Sequence, residues 1–278
     1  MGIFNRNFNK PGPGVNKDEP RKKGVARFFE LLMRDFADLV KLNVMFCIVL
    51  IPSVAAFVFG SALLSPIFGF LGPIFVFVLA LVFAFPVGGA LTAYYYYITK
   101  MMRDDPSYVW FEFKRKFLEN YKQAAPIGIL CAGFSYAQVM LWYNLIITVQ
   151  QGGMVDDFLW YLLVFLSFII FMMIVPYIFM HYAYVSLGTF QILKNSVMMA
   201  FGYLPRSIMA SLLGGSLGIA FALFYPYSAL AVPLILLFGV SIAILLSLMW
   251  VWPVFDKCFK IEETLIQREE EEGVDVSD

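Results

Sequence analysis

His181 is the only histidine in the 278-residue chain, so it bounds what proton chemistry the chain could do. An imidazole titrates near neutrality and can pass a proton on. A path through apolar surroundings needs further titratable groups in line with it. Around His181 stand Tyr182 and Tyr184, and the neighbouring apolar run offers no acid. The residue therefore reads as an interfacial, hydrogen-bonded histidine. The three cysteines, Cys47, Cys131 and Cys258, lack metal-ligand spacing and read as free thiols. No Ser or Cys has a base partner other than His181, which argues against a nucleophilic dyad. There is no phosphate-binding loop and no His/Cys/Asp/Glu cluster with metal spacing. Four consecutive tyrosines, Tyr94 to Tyr97, carry faces and hydroxyls that suit a sugar ring. Consecutive helical residues point in four directions, however, so they form no single wall, and they read as part of an interfacial aromatic belt. Asp156 and Asp157 read as loop solvation. No catalytic, cofactor-binding or metal-binding residue is assigned, and the chain is not expected to be an enzyme.

The elements that hold these residues are set by solvent. Hydrophobic residues make up 61% of the chain and charged residues 14%, and mean hydropathy is +0.77. A soluble domain carries about 25% charge. From Leu42 to Thr99 there is no charged residue, a run far longer than the ~20 residues that one helix needs to cross a bilayer. The pattern predicts an all-α polytopic membrane protein with six transmembrane helices, near 42–60, 70–98, 124–148, 158–184, 207–225 and 230–252. Pro73, Pro86, Gly88 and Gly89 predict a second span that is kinked or partly re-entrant.

All twenty Lys and Arg can be placed on one side. Nine precede the first span, six fall between the second and third, two (Lys194, Arg206) between the fourth and fifth, and three follow the sixth. The intervening loops hold none. The positive-inside rule then puts both termini in the cytoplasm. Residues 1–24, with Pro11 to Gly14, read as a disordered cytosolic arm without a secretory signal or a myristoylation pattern. The basic residues Arg21, Lys22, Lys23 and Arg27 suit anionic lipid, and nucleic acid is not an expected partner. Residues 25–260 form one membrane domain, and 261–278 an acidic helix fraying into a tail.

Amphipathic helices are expected on the cytosolic side. The first, over 25–41, sets Phe28, Leu32, Phe36 and Leu39 against Arg27, Glu30, Arg34, Asp38 and Lys41. In the second, capped by Asp105 and Pro106, Trp110, Phe113, Phe117 and Tyr121 oppose Glu112, Arg115, Glu119 and Lys122. The third sets Phe190, Leu193, Val197 and Phe201 against Gln191, Lys194 and Asn195. A helix followed by a transmembrane hairpin could thus occur three times, each unit marked by a Phe five residues before a base: Phe36/Lys41, Phe117/Lys122 and Phe201/Arg206. Trp110, Phe113, Phe117, Lys194 and Arg206 are the candidate docking residues for a cytosolic partner. In the fifth span Ala210, Gly214, Gly218 and Ala222 form a small-residue seam that admits another helix closely, either of this chain or of another subunit.

Gly-Pro-Gly-Val at 12–15, Arg-Phe-Phe-Glu-Leu-Leu at 27–32, Lys-Leu-Asn at 41–43, Arg103-Asp104-Asp105 with Trp110 and Phe113, Glu-Asn-Tyr-Lys-Gln-Ala at 119–124, and Lys194-Asn195 with Leu204-Pro205-Arg206 resemble, in their order and spacing, the YesL family of Gram-positive bacteria. The resemblance covers roughly residues 1–260 and departs from the family pattern after Pro52. It implies an integral protein of the cell membrane, of unknown function, whose genes often lie near those for carbohydrate ABC importers, and it carries no catalytic residue. The expectation it supports is a non-enzymatic accessory or scaffold protein, with ABC importer subunits as partners. The alternative is a transporter or channel for a small neutral solute such as an oligosaccharide.

Overall fold

The computed structural model describes residues 22, 24–105, 107–151, 158–223 and 235–274. Every regular element among them is helical. Helix α1 spans Gly24–Arg34, and after a bend at Asp35 helix α2 runs Phe36–Phe68. A single 3-10 turn over Gly69–Leu71 leads into α3, Gly72–Phe83. Then follow α4 (Val87–Met102), α5 (Val109–Asn120), α6 (Ala125–Gln150), α7 (Phe158–Tyr184), α8 (Thr189–Gly202) and α9 (Leu204–Leu223). A wide π turn, Ile235–Gly239, opens α10 (Val240–Phe259), and α11 covers Ile261–Val274.

Among the described residues, four stretches are long and apolar enough to cross a membrane: Phe36–Leu64, Ala125–Thr148, Phe158–Tyr184 and Leu237–Phe259. Two bent pairs, α3 with α4 and α8 with α9, bring the total up to six if each pair is one span. This is an all-α polytopic membrane architecture. The predicted kink lies between α3 and α4, which meet at 49°. Pro86 has no N–H to donate, so the ladder stops after Ala84 and restarts at Val87. Helices α8 and α9 meet at 100°. Gly202 closes the first of them, and Pro205 suits the opening turn of the second.

Several expected boundaries move. The amphipathic helix expected over 25–41 ends at Arg34, and residues 36–41 belong to the first crossing, where Leu39 and Leu42 are buried. Phe36 and Lys41 therefore sit on a crossing helix, whereas Phe117 sits on α5 and Phe201 on α8. Those marker pairs are therefore not equivalent. The last crossing runs to Phe259, seven residues past its expected end. Lys257, in its final turn, can bury its stem and keep its ammonium outward, so a charge there does not stop the helix. The stop is Lys260, in the left-handed conformation at φ 50°. Most of residues 1–24, the segments with Asp156, Asp157, Pro226 and Pro233, and the last four residues lie outside the described residues.

The buried side chains concentrate at one end. On α4 nearly every residue from Val87 to Met101 is buried, and the second half of α7 and the middle of α10 pack around it. Toward the other end, apolar side chains face outward; only 17% of the most apolar window of α7 is buried inside the protein. Lipid is the solvent that makes such a surface stable.

Candidate functional site

The tight end is built around the turn after α4. Asp104 adopts φ 61° and donates its N–H to Met101 O, while Asp105 donates to Lys100 O. This is the paired closure that ends a helix on a left-handed residue, a place usually filled by Gly. An aspartate there aims a carboxylate back at α1. Arg27 donates to its Oδ2 at 2.6 Å and to Met102 O at 3.0 Å, and Arg34 pairs with Oδ1. Two guanidinium groups from one helix thus clamp a single carboxylate. Burial works to raise the Asp104 carboxyl, but hydrogen bonds from Arg34 and Arg27 outweigh it and hold the carboxyl below its ordinary range.

A carboxyl depressed in the folded state stabilises the fold above its ordinary pKa. That contribution is lost as pH falls through the depressed value. Acidification below the ordinary carboxylate range should therefore loosen α1, and alkaline pH should not. Asp104→Asn should remove about 1–2 kcal/mol at neutral pH and flatten this acid response. Hydrogen exchange over residues 24–34, followed against pH, reads both effects. Unchanged protection in the variant would show that the clamp does not hold α1.

A second cluster seats α5. Glu112 is buried, accepts from Lys100 Nζ at 3.1 Å and pairs with Arg115, whose Nη2 also donates to the Tyr96 hydroxyl at 3.1 Å. The Glu112 carboxyl is likewise lowered, with burial opposing and Arg115 and Lys100 prevailing. Sequence reasoning put Glu112 on the solvated face. The structure turns α5 so that Glu112 and Phe113 point inward and Trp110, 67% exposed, points out beside exposed Tyr108 and Phe111. Lys100 and Arg115 need an anion more than α4 needs another apolar contact. Asp105 does not cap α5, whose N-cap is Tyr108; Asp105 lies instead 3.5 Å from Lys100 and 3.7 Å from Arg103.

The other predicted docking residues divide. Phe113 is buried, and Phe117 is part of a ring stack between Phe113 and Tyr121, so both are packing residues. Lys194 and Arg206 are exposed. The stripe Phe190, Leu193, Val197 and Phe201 is not the inward face of α8; Ile192, Ser196 and Ala200 are. Small residues let α8 approach α7, and the large apolar ones are left to lipid.

His181 is hydrogen-bonded, as expected, but fully enclosed by the protein. Its Nδ1 lies 2.7 Å from Tyr177 O and 3.1 Å from Ser196 Oγ, and its ring meets Phe255 and Phe259 edge-on. A carbonyl only accepts, so Nδ1 carries the proton. Nε2 has no hydrogen-bond partner among the described residues. The belt expected at Tyr94 to Tyr97 is overturned: Tyr94, Tyr95 and Tyr97 are buried. The Tyr94 hydroxyl donates to Asn43 Oδ1 at 2.8 Å and lies 2.6 Å from Ser241 Oγ, while Ser241 Oγ donates to Leu39 O at 2.7 Å. That buried network ties α2, α4 and α10 together, and each polar atom lost from it would leave a partner unsatisfied.

Two close crossings lie nearby. The predicted seam meets this chain's own last crossing: a Cβ on Gly214 would lie 3.0 Å from Ser247 Cβ, and Ala210 is buried. The surroundings of Gly218 and Ala222 lie outside the described residues. The tighter crossing, unforeseen from sequence, sets Gly88 of α4 against Ala124 and Gly128 of α6.

Between these crossings α2, α4, α6, α7, α9 and α10 enclose a cavity of about 620 Å³. Its lining is almost wholly apolar, with Leu50, Tyr95, Cys131, Phe171, Val175 and Ile244 among the contributors. No family model, curated protein or solved structure matches the chain in comparisons with each.

Proposed function

We propose that the chain is a non-enzymatic accessory or scaffold protein of a bacterial cell membrane, with its basic end and both termini in the cytosol, assisting a carbohydrate ABC importer. The observation that carries this reading is the surface of α5. Tyr108, Trp110 and Phe111 stand exposed on a helix held from behind by Glu112, Lys100 and Arg115. Large aromatic side chains on a rigid support are the residues that anchor protein interfaces, because little conformational entropy is lost on binding. The importer as partner comes from the resemblance to the YesL family. The lining of the central cavity favours scaffolding over passage of an oligosaccharide, since a sugar needs several convergent hydrogen-bonding groups.

The test is affinity capture of the tagged protein from membranes, probing for the importer's membrane and ATPase subunits. Their recovery should fall about tenfold with the pair Trp110→Ala and Phe111→Ala, a loss of roughly 1.4 kcal/mol or more. Equal recovery by wild type and variant would remove α5 as the docking surface. Absence of importer subunits from both would remove the importer. Labelling of Lys114 by an impermeant reagent on whole cells would reverse the proposed orientation.

A further inference from the structure

The geometry points to the central cavity as a binding site for one lipid acyl chain, drawn from the bilayer. This inference is independent of the importer reading. The cavity lies in the membrane-crossing part of the bundle: Leu50 and Val54 are in the middle of α2, Val139 in the middle of α6, Phe171 in the middle of α7 and Ser247 near the middle of α10. Val54 and Val139 line it while remaining 44% and 58% exposed. At Val54 and Val139 the cavity therefore reaches the apolar surface that meets lipid. Tyr136 also lines it, its ring stacked on Phe57 at 4.8 Å and its hydroxyl 2.7 Å from Ser53 Oγ.

Size and polarity select the occupant. An apolar cavity of roughly 150 Å³ takes one benzene ring, and this one, at about 620 Å³, is some four times larger. That matches a single long hydrocarbon chain. A water molecule needs two to four polar partners to stay. Here the Ser135 hydroxyl is already bonded to Cys131 O, and the Tyr136 hydroxyl to Ser53. The remaining polar groups of the wall are the Tyr95 hydroxyl and Ser247 Oγ, which is buried and has no partner among the described residues; they are too few to fill the space with water or to hold a sugar. A space that neither water nor sugar can fill, and that reaches hydrocarbon, is filled by hydrocarbon, because an empty cavity forfeits dispersion contacts on every wall. The chain would complete the packing of the helices that meet there.

Photocrosslinking tests this with the full-length protein in bilayer nanodiscs. One arm uses a phospholipid carrying a diazirine in its acyl chain, and the other a free fatty acid with the same group. The phospholipid should label lining residues of α2 and α6 about tenfold more than Leu163, an exposed residue of α7 outside the cavity. Ala132→Phe should abolish that preference by filling the space, and Ser135→Phe provides an independent version should the first fail to fold. Cooperative melting in detergent reports folding for both. Equal labelling of lining and outward residues, or a preference unchanged in both folded variants, overturns the site. Labelling by the fatty acid alone overturns the bilayer lipid as its occupant.

Discussion

Gly128→Val should leave almost no folded protein to purify. A Cβ at Gly128 would lie 2.2 Å from Gly88 N and 2.5 Å from Gly88 Cα, and one at Gly88 would lie 2.0 Å from Ala124 O. All of these are backbone atoms, so no rotamer change relieves the overlap. Helices α4 and α6 would have to separate, and α4 is the element around which the buried end is packed. Ordinary overpacking costs ~1–3 kcal/mol; a clash between two backbones exceeds that and consumes much of a stability of about 5–15 kcal/mol. Gly214→Ala should be milder, since its nearest neighbours are Ser247 Cβ at 3.0 Å and Ala243 O at 3.2 Å. Gly202→Ala, with nothing within 4 Å, is the control and should be close to neutral. Yield by size exclusion and melting temperature in detergent give the ranking. A Gly128→Val protein that melts within a few degrees of wild type would mean that α4 and α6 do not cross there.

The contrast between the two glycine crossings shows what the sequence made legible. Ala210, Gly214, Gly218 and Ala222 recur every four residues, and that period is visible without coordinates. Gly88 and Gly128 are forty residues apart on different helices, and Gly88 stands beside Pro86, where a glycine reads as a helix break. It serves both purposes: Pro86 ends the ladder, and Gly88 admits a neighbour. The crossings themselves were legible because hydrophobicity over some twenty residues is a strong, additive signal; α7 matches its expected bounds. The rotation of each helix was not. In lipid the largest apolar side chains have no reason to face inward: Phe190, Leu193 and Phe201 of α8 stay exposed, and on α5 Glu112, read as solvated, turns inward while Trp110 stays out. Small and polar residues mark the inner faces instead: Ser196, Ser207, Ser211, Asn43 and Glu112 are all buried. The cavity was equally hidden, since its lining comes from six helices and no one of them carries a local pattern for it.

Glu112→Ala is the second change with a large expected effect, about 2–4 kcal/mol, because it strips a buried ammonium of its main anion. Lys100 keeps only Asp105, at 3.5 Å, and Lys100 itself is almost fully enclosed. The loss falls short of the worst case because Arg115 is partly exposed and can turn to water or to Glu119. Glu112→Gln retains an acceptor without the charge and should cost about half as much. The informative variant is the double replacement Lys100→Met with Glu112→Leu. Two apolar side chains of similar volume remove both desolvation penalties, and such exchanges are often neutral or stabilising. The double variant should therefore melt near wild type while each single variant melts well below it, giving a coupling of at least ~2 kcal/mol. Added salt should change the coupling little, because the pair is shielded from mobile ions. Should the single changes add without coupling, α5 is seated by Val109 and Phe113 alone. The exposed Trp110 and Phe111 would then retain their presentation in Glu112→Ala, and partner capture would survive the loss of the ion cluster.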